Sequence, residues 1–118
     1  MILVDTTVWI DHLRNGNPRL KDLLLESAVL THSFVLGELA CGSLANRQTI
    51  LGLLRALPSA VSADHEEVLE LLENERLHGR GIGWIDAHLV ASARLSNAGI
   101  WTLDRPLVRI ALELGLAA

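Results

Sequence analysis

The sequence predicts an α/β fold, with a central, mostly parallel sheet of four or five strands and helices on both faces. Two observations carry this reading. Short apolar runs of strand length alternate with stretches of helical periodicity from one end of the chain to the other. Two of those runs, Ile2-Leu3-Val4 and Ile100-Trp101-Thr102-Leu103, lead directly into an aspartate, Asp5 and Asp104. Half of the 118 residues are apolar and 20% are charged, which excludes a disordered chain and provides for one packed core. A single domain over 1–118 is expected.

The elements follow in order. Residues 1–4 form an apolar run that Asp5-Thr6-Thr7 ends, which predicts a buried strand, a cap and a short helix through Arg14. Asn15-Gly16-Asn17-Pro18 is a turn. Leu20, Leu23 and Leu24 mark a second helix, and 28–31 a second strand. A helix from about Ser33 to Gly42 carries Glu38, and an amphipathic one over 48–57 stops at Pro58. A brief third strand is expected over 60–62. Asp64 and Glu67 form a capping pair for a helix over 64–77, with Val68, Leu69, Leu71 and Leu72 opposite Glu66, Glu70 and Glu73. The glycine-rich segment 78–83 then leads into a helix over 85–97 that Gly99 is expected to stop. A fourth strand over 100–103 ends at Asp104, and Pro106 starts a last helix that Gly115 closes.

No apolar run approaches the ~20 residues needed to cross a bilayer, and Asp5 interrupts the first one too early for a signal peptide, so a cytoplasmic protein without membrane contact is expected. The lone Cys41 sits in an apolar segment and reads as a small core residue; disulfide chemistry is excluded. A net charge of −4 argues against a phosphate-binding surface. Setting aside Asp5, Glu38, Asp86 and Asp104, however, ten acids face ten bases, nine of them Arg, so the remaining surface is permissive for RNA.

Those four acids are the chemical core of the sequence. Parallel strands deliver residues at their carboxyl ends to one rim, and both Asp5 and Asp104 are placed there. Asp86 falls in the first turn of a helix that follows a glycine loop, and such loops lie at that rim. Glu38 is flanked by Phe34, Val35, Leu36, Leu39, Ala40 and Cys41 on a helix expected to be mostly buried, with no Lys or Arg within four positions, so its charge is costly unless a cation held in common with the other carboxylates offsets it. Singly, each acid has an ordinary structural reading as a helix cap or dipole partner. Jointly they describe a carboxylate cluster that requires positive charge, and hard oxygen donors select Mg²⁺ or Mn²⁺ over zinc. Such a centre activates water and stabilises in-line phosphodiester displacement. Thr6 or Thr7 supplies a hydroxyl to the cluster or to the phosphate, and Arg80 and Arg105 are candidate phosphate contacts.

The five histidines, His12, His32, His65, His78 and His88, show no ligand spacing and read as surface or capping residues. Trp84 and Trp101 read as rim or core packing rather than base-stacking groups.

Four ordered blocks, Val4-Asp5-Thr6-Thr7-Val8-Trp9-Ile10, Gly37-Glu38-Leu39, Gly83-Trp84-Ile85-Asp86-Ala87-His88-Leu89 and Trp101-Thr102-Leu103-Asp104-Arg105, resemble the PIN-domain VapC toxins across essentially the whole chain. The resemblance implies a PIN-like fold and a Mg²⁺- or Mn²⁺-dependent endoribonuclease. It also implies a VapB-like antitoxin that blocks the site, and a homodimer. By position, Asp5, Glu38, Asp86 and Asp104 look like the family's metal-binding acids, and Thr7 like the hydroxyl residue that supports them. Pro106 replaces a residue that is commonly basic or polar, which puts a substrate contact there in doubt and leaves the metal site untouched.

Other readings fare worse. A haloacid-dehalogenase-type hydrolase needs a second Asp two positions after Asp5, where Thr7 stands. A receiver-like domain needs adjacent acids near the first strand and a late lysine, and the sole lysine is Lys21. The rival from another class is a catalytically silent PIN-like binding or dimerisation module, which the presence of all four acids opposes.

Overall fold

Strand β1 (Ile2–Val4) is the middle strand of a three-stranded parallel sheet in a computed structural model that describes residues 1–118. β2 (Val29–Leu30) pairs on one side, with Ile2 opposite Val29 and Leu3 opposite Leu30. β3 (Gly99–Trp101) pairs on the other, with Ile2, Leu3 and Val4 opposite Gly99, Ile100 and Trp101. Successive strand residues face opposite sides of a sheet. Leu3 and Val4, Val29 and Leu30, and Ile100 and Trp101 are all buried, so both faces of this sheet are covered.

The expectation of four or five strands is corrected to three. The segment expected as a strand over 60–62 makes one bridge, between Thr31 and Ser59. Pro58 has no N–H to extend that ladder, and the cap of the next helix follows at Asp64, so pairing ends after two hydrogen bonds. On the opposite edge Ala117 makes a single bridge to Ile100.

Seven helices connect the strands: α1 (Thr6–Asn15), α2 (Pro18–Leu25), α3 (Ser33–Cys41), α4 (Arg47–Arg55), α5 (His65–Asn74), α6 (Trp84–Leu95) and α7 (Arg105–Glu113). None is long and apolar enough to cross a membrane. Their ends obey local chemistry. Asn17 accepts the Leu20 N–H with Pro18 in the first turn of α2. Asp64 and Glu67 exchange side-chain and backbone bonds at the start of α5, the reciprocal box the sequence announces.

Three helix ends differ from expectation, α4 stopping at Arg55 and not at 57. α5 stops at Asn74, not at 77, because Arg76 turns left-handed at φ 53° and the Leu77 N–H returns to the Leu72 carbonyl, burying the Leu77 side chain. α6 stops at Leu95 by the same device: Asn97, at φ 49°, is the turning residue, and the Ala98 N–H reaches the Ala93 carbonyl. Gly99 is therefore not a helix stop. It opens β3, where a Cβ would stand 2.9 Å from the Cβ of Ala118, so glycine makes room for the C-terminal segment.

One cluster of 27 buried hydrophobic residues joins the sheet to the helices. α6 is buried continuously from Ala87 to Ala93 and packs on β1, β3 and α5, which makes it the central helix. α3 buries only the stripe of Val35 and Leu39. Cys41, two positions past that stripe, is exposed, contrary to its expected place in the core.

Candidate active site

Asp5 follows β1 directly, and Thr102 and Asp104 follow β3, so the two neighbouring parallel strands bring them to one rim. Although Asp5 occupies the N-cap position of α1, its side chain caps nothing. Its Oδ2 instead accepts two hydroxyl protons, from Thr7 at 2.7 Å and Thr102 at 2.8 Å. Each hydroxyl is in turn held by a backbone N–H: Leu103 donates to Thr7 Oγ1 and Asp104 donates to Thr102 Oγ1. Donors of fixed direction thus orient Asp5, which is only 4% exposed.

The other three carboxylates arrive from helices. Glu38 lies on the open side of α3 and is exposed, so its apolar chain neighbours do not surround it in space; the α3 stripe of Val35 and Leu39 faces the core while Glu38 faces out. Thr6 supplies the missing partner, donating to Glu38 Oε1 at 2.7 Å. Asp86, in the first turn of α6, accepts the Gly83 N–H at 3.1 Å, and Asp104 caps α7 by accepting the Leu107 N–H at 3.2 Å. The glycine loop before α6 is held close to α7: a Cβ on Gly81, itself at φ +86°, would press on the Pro106 ring at 3.3 Å.

A common pattern links the four. Asp5, Glu38, Asp86 and Asp104 each spend one carboxylate oxygen on hydrogen bonds within the protein, and the second oxygen of each has no protein partner. Asp86 senses the rest electrostatically. Burial pushes its pKa up, and the charges of Asp5, Asp104 and Glu38 push it the same way, against the lowering by the Gly83 N–H. None of the four carboxylates is in an ion pair with Lys or Arg; the ion pairs of the structure are Arg80–Glu113 and Arg94–Glu75. As they stand, no three acidic, histidine or cysteine side chains are drawn together closely enough to chelate one ion. The donor chemistry, four carboxylates that each keep one hard oxygen without a protein partner, nevertheless fits a divalent cation.

Of the two arginines singled out from the sequence, Arg105 is exposed beside Asp104 and belongs to no ion pair. Arg80 is committed to Glu113 through two bonds of 2.6 and 2.7 Å. Thr102 escaped the sequence reading. The available signal was a hydroxyl, two positions before Asp104, inside an otherwise apolar strand run. His32 and His88 are buried rather than at the surface, and His32 does cap α3. Trp84 is 38% exposed at the rim, and Trp101 is buried beneath the Arg19 guanidinium at 4.3 Å. Beside Glu38, a cleft of about 290 Å³ is lined by Ile10, Leu13, Arg14 and Leu39 among others.

A family model described as "PIN domain" matches residues 2–113. Among curated proteins, the chain is similar to a protein named Ribonuclease VapC32 from two strains of Mycobacterium tuberculosis, CDC 1551 / Oshkosh and ATCC 25618 / H37Rv. In each case the two are 44% identical over 118 residues, covering 99% of this chain and 95% of the relative.

Proposed function

The chain belongs to the PIN-domain family and within it to the VapC ribonucleases, and from that premise we propose that it is a Mg²⁺- or Mn²⁺-dependent endoribonuclease, the toxin of a type II toxin–antitoxin pair. One observation supports the chemistry: Asp5, Glu38 and Asp104 all act electrostatically on Asp86, and each of the four carboxylates has one oxygen anchored and one without a protein partner. Asp5, Glu38, Asp86 and Asp104 would hold the metal, and Mg²⁺ or Mn²⁺ held there would supply an acidified water and positive charge for the phosphodiester.

The chain's own groups set the geometry for that chemistry. Thr7 and Thr102 fix Asp5 in the buried floor of the site, and Thr6 fixes Glu38 at its edge. The Asp86 pKa is raised by burial and by the neighbouring carboxylates, so a positive charge beside it would favour its ionised form. Arg105, exposed next to Asp104, meets an RNA phosphate as the strand enters the site, and Arg80 does so only by leaving Glu113. A VapB-like antitoxin partner, a homodimer and a cytoplasmic setting complete the proposal, in keeping with a fold whose helices are all too short or too polar to span a membrane.

The test is cleavage of a mixed cellular RNA pool by antitoxin-free protein in Mg²⁺, Mn²⁺ or EDTA, alongside Asp86→Asn. Discrete fragments that require metal and disappear in the variant are expected. An absence of metal-dependent cleavage from every RNA would reassign the chain to a catalytically silent PIN-like binding module.

A further inference from the structure

His32 stands between the helices that carry Glu38 and Asp86. It is 2% exposed, and both ring nitrogens are engaged. Nδ1 accepts the Phe34 N–H at 3.0 Å and so caps α3. An accepting Nδ1 carries no proton, which places the ring proton on Nε2, 3.0 Å from Ser92 Oγ. Ser92 is fully buried in the middle of α6. The imidazole therefore does two things at once: it completes the first turn of α3, and it bolts that turn to α6. Burial, and then the neighbouring His88, hold its pKa below the usual histidine range, which preserves the neutral form the cap requires.

The bolt is well placed to act on the carboxylates. Glu38 lies six residues beyond His32 along α3, and Asp86 six residues before Ser92 along α6. At a helical rise of 1.5 Å per residue each carboxylate is about 9 Å from the joint along its own helix. A small displacement at the joint is thus transmitted along two short, rigid arms. We infer that His32 is a positioning residue for the metal centre, its hydrogen bond to Ser92 setting the separation between Glu38 and Asp86. The inference rests on the metal-dependent reading above and deepens it.

Three substitutions separate positioning from mere capping. His32→Asn keeps an acceptor for the Phe34 N–H but is too short to reach Ser92. His32→Gln places an amide N–H where Nε2–H was and gives up the cap. Ser92→Ala keeps the cap and removes the bond. The readouts are Mn²⁺ affinity of the RNA-free protein by electron paramagnetic resonance, thermal melting, and kcat and KM for RNA.

Mn²⁺ affinity is expected to fall about 10-fold in His32→Asn and Ser92→Ala, the scale at which outer partners of metal ligands act. The fall in kcat follows it, with KM for RNA unchanged, and the double variant is no worse than either single one. His32→Gln is expected to melt lower yet bind Mn²⁺ within about 2-fold of wild type, because the bridge survives. Wild-type Mn²⁺ affinity in a cooperatively melting His32→Asn or Ser92→Ala would overturn the inference, as would affinity that tracks melting temperature across all three. If neither of those two variants melts cooperatively, the bond is a requirement of the fold and the inference is likewise overturned. A wild-type protein that binds no Mn²⁺ would instead remove the reading on which it rests.

Discussion

Thr6 reaches Glu38 while its neighbour Thr7 reaches Asp5, so two consecutive hydroxyls on the first turn of α1 orient two different carboxylates. Residues one apart on a helix point about 100° away from each other, and that divergence lets one short segment serve both the floor and the edge of the site. Thr6→Val preserves shape and removes the donor to Glu38. Its cleavage rate at saturating Mn²⁺ is expected to fall about 10-fold, with Thr6→Ser close to wild type. An unchanged rate in Thr6→Val would show that Glu38 needs no such orientation.

Asp86 makes a stability prediction with a defined sign. Its carboxyl pKa is raised in the folded protein, so the fold favours its protonated form. Below the unfolded value near 3.8 both states are protonated and nothing is lost; as pH rises through the folded pKa, ionised Asp86 costs stability. In EDTA at pH 7, Asp86→Asn should therefore melt higher than wild type. The difference should vanish by about pH 3 and reverse when Mg²⁺ is added, since only the wild type gains from the ion. Scanning calorimetry across pH, with and without metal, measures both.

The two arginines should behave differently toward RNA. Arg105→Ala is expected to weaken binding of a metal-free, non-cleavable RNA at low salt and to reduce the salt slope by about one unit. Arg80→Ala should instead break the exposed pair with Glu113, with little effect on stability. Glu113→Gln releases Arg80, and tighter RNA binding by that variant would identify Arg80 as a phosphate contact held in reserve.

Arg76 offers a test away from the site. It is exposed and unpaired, yet it holds a left-handed backbone at φ 53° to turn Leu77 into the core. A non-glycine residue pays roughly 1–2 kcal/mol for that conformation, partly offset in a glycine variant by greater freedom of the unfolded chain. Arg76→Gly is expected to raise stability by about 0.5–1 kcal/mol with RNA cleavage unchanged. Denaturant unfolding at constant slope would register it, and a loss of stability would contradict the account.

The parts of this architecture written in short-range chemistry were legible in the sequence. The Asp64–Glu67 box, the Asn17-Pro18 start of α2 and the aspartates that terminate β1 and β3 involve residues a few positions apart. The parts written in tertiary contact were not. Apolar chain neighbours made Glu38 look buried, but a helix segregates its neighbours onto different faces, and only the stripe of Val35 and Leu39 meets the core. The same rotation exposes Cys41. Arg76 and Asn97 close helices without the glycine that usually announces such a turn. The role of Thr102 depends on a partner just beyond β1, Asp5, that no local pattern points to.

The strand order has a temporal meaning. β1 is synthesised first yet lies in the middle of the sheet, and its partner β3 with the Thr102 hydroxyl comes 97 positions later. Contacts of such long range form last, because the intervening chain must be in place before they can close. A growing polypeptide still on the ribosome holds Asp5 without the strand that completes its surroundings until residue 102 has emerged. A truncated product lacking β3 would then be inert toward the RNA around it, so the same pairing that builds the site also delays its appearance until β3 has been made.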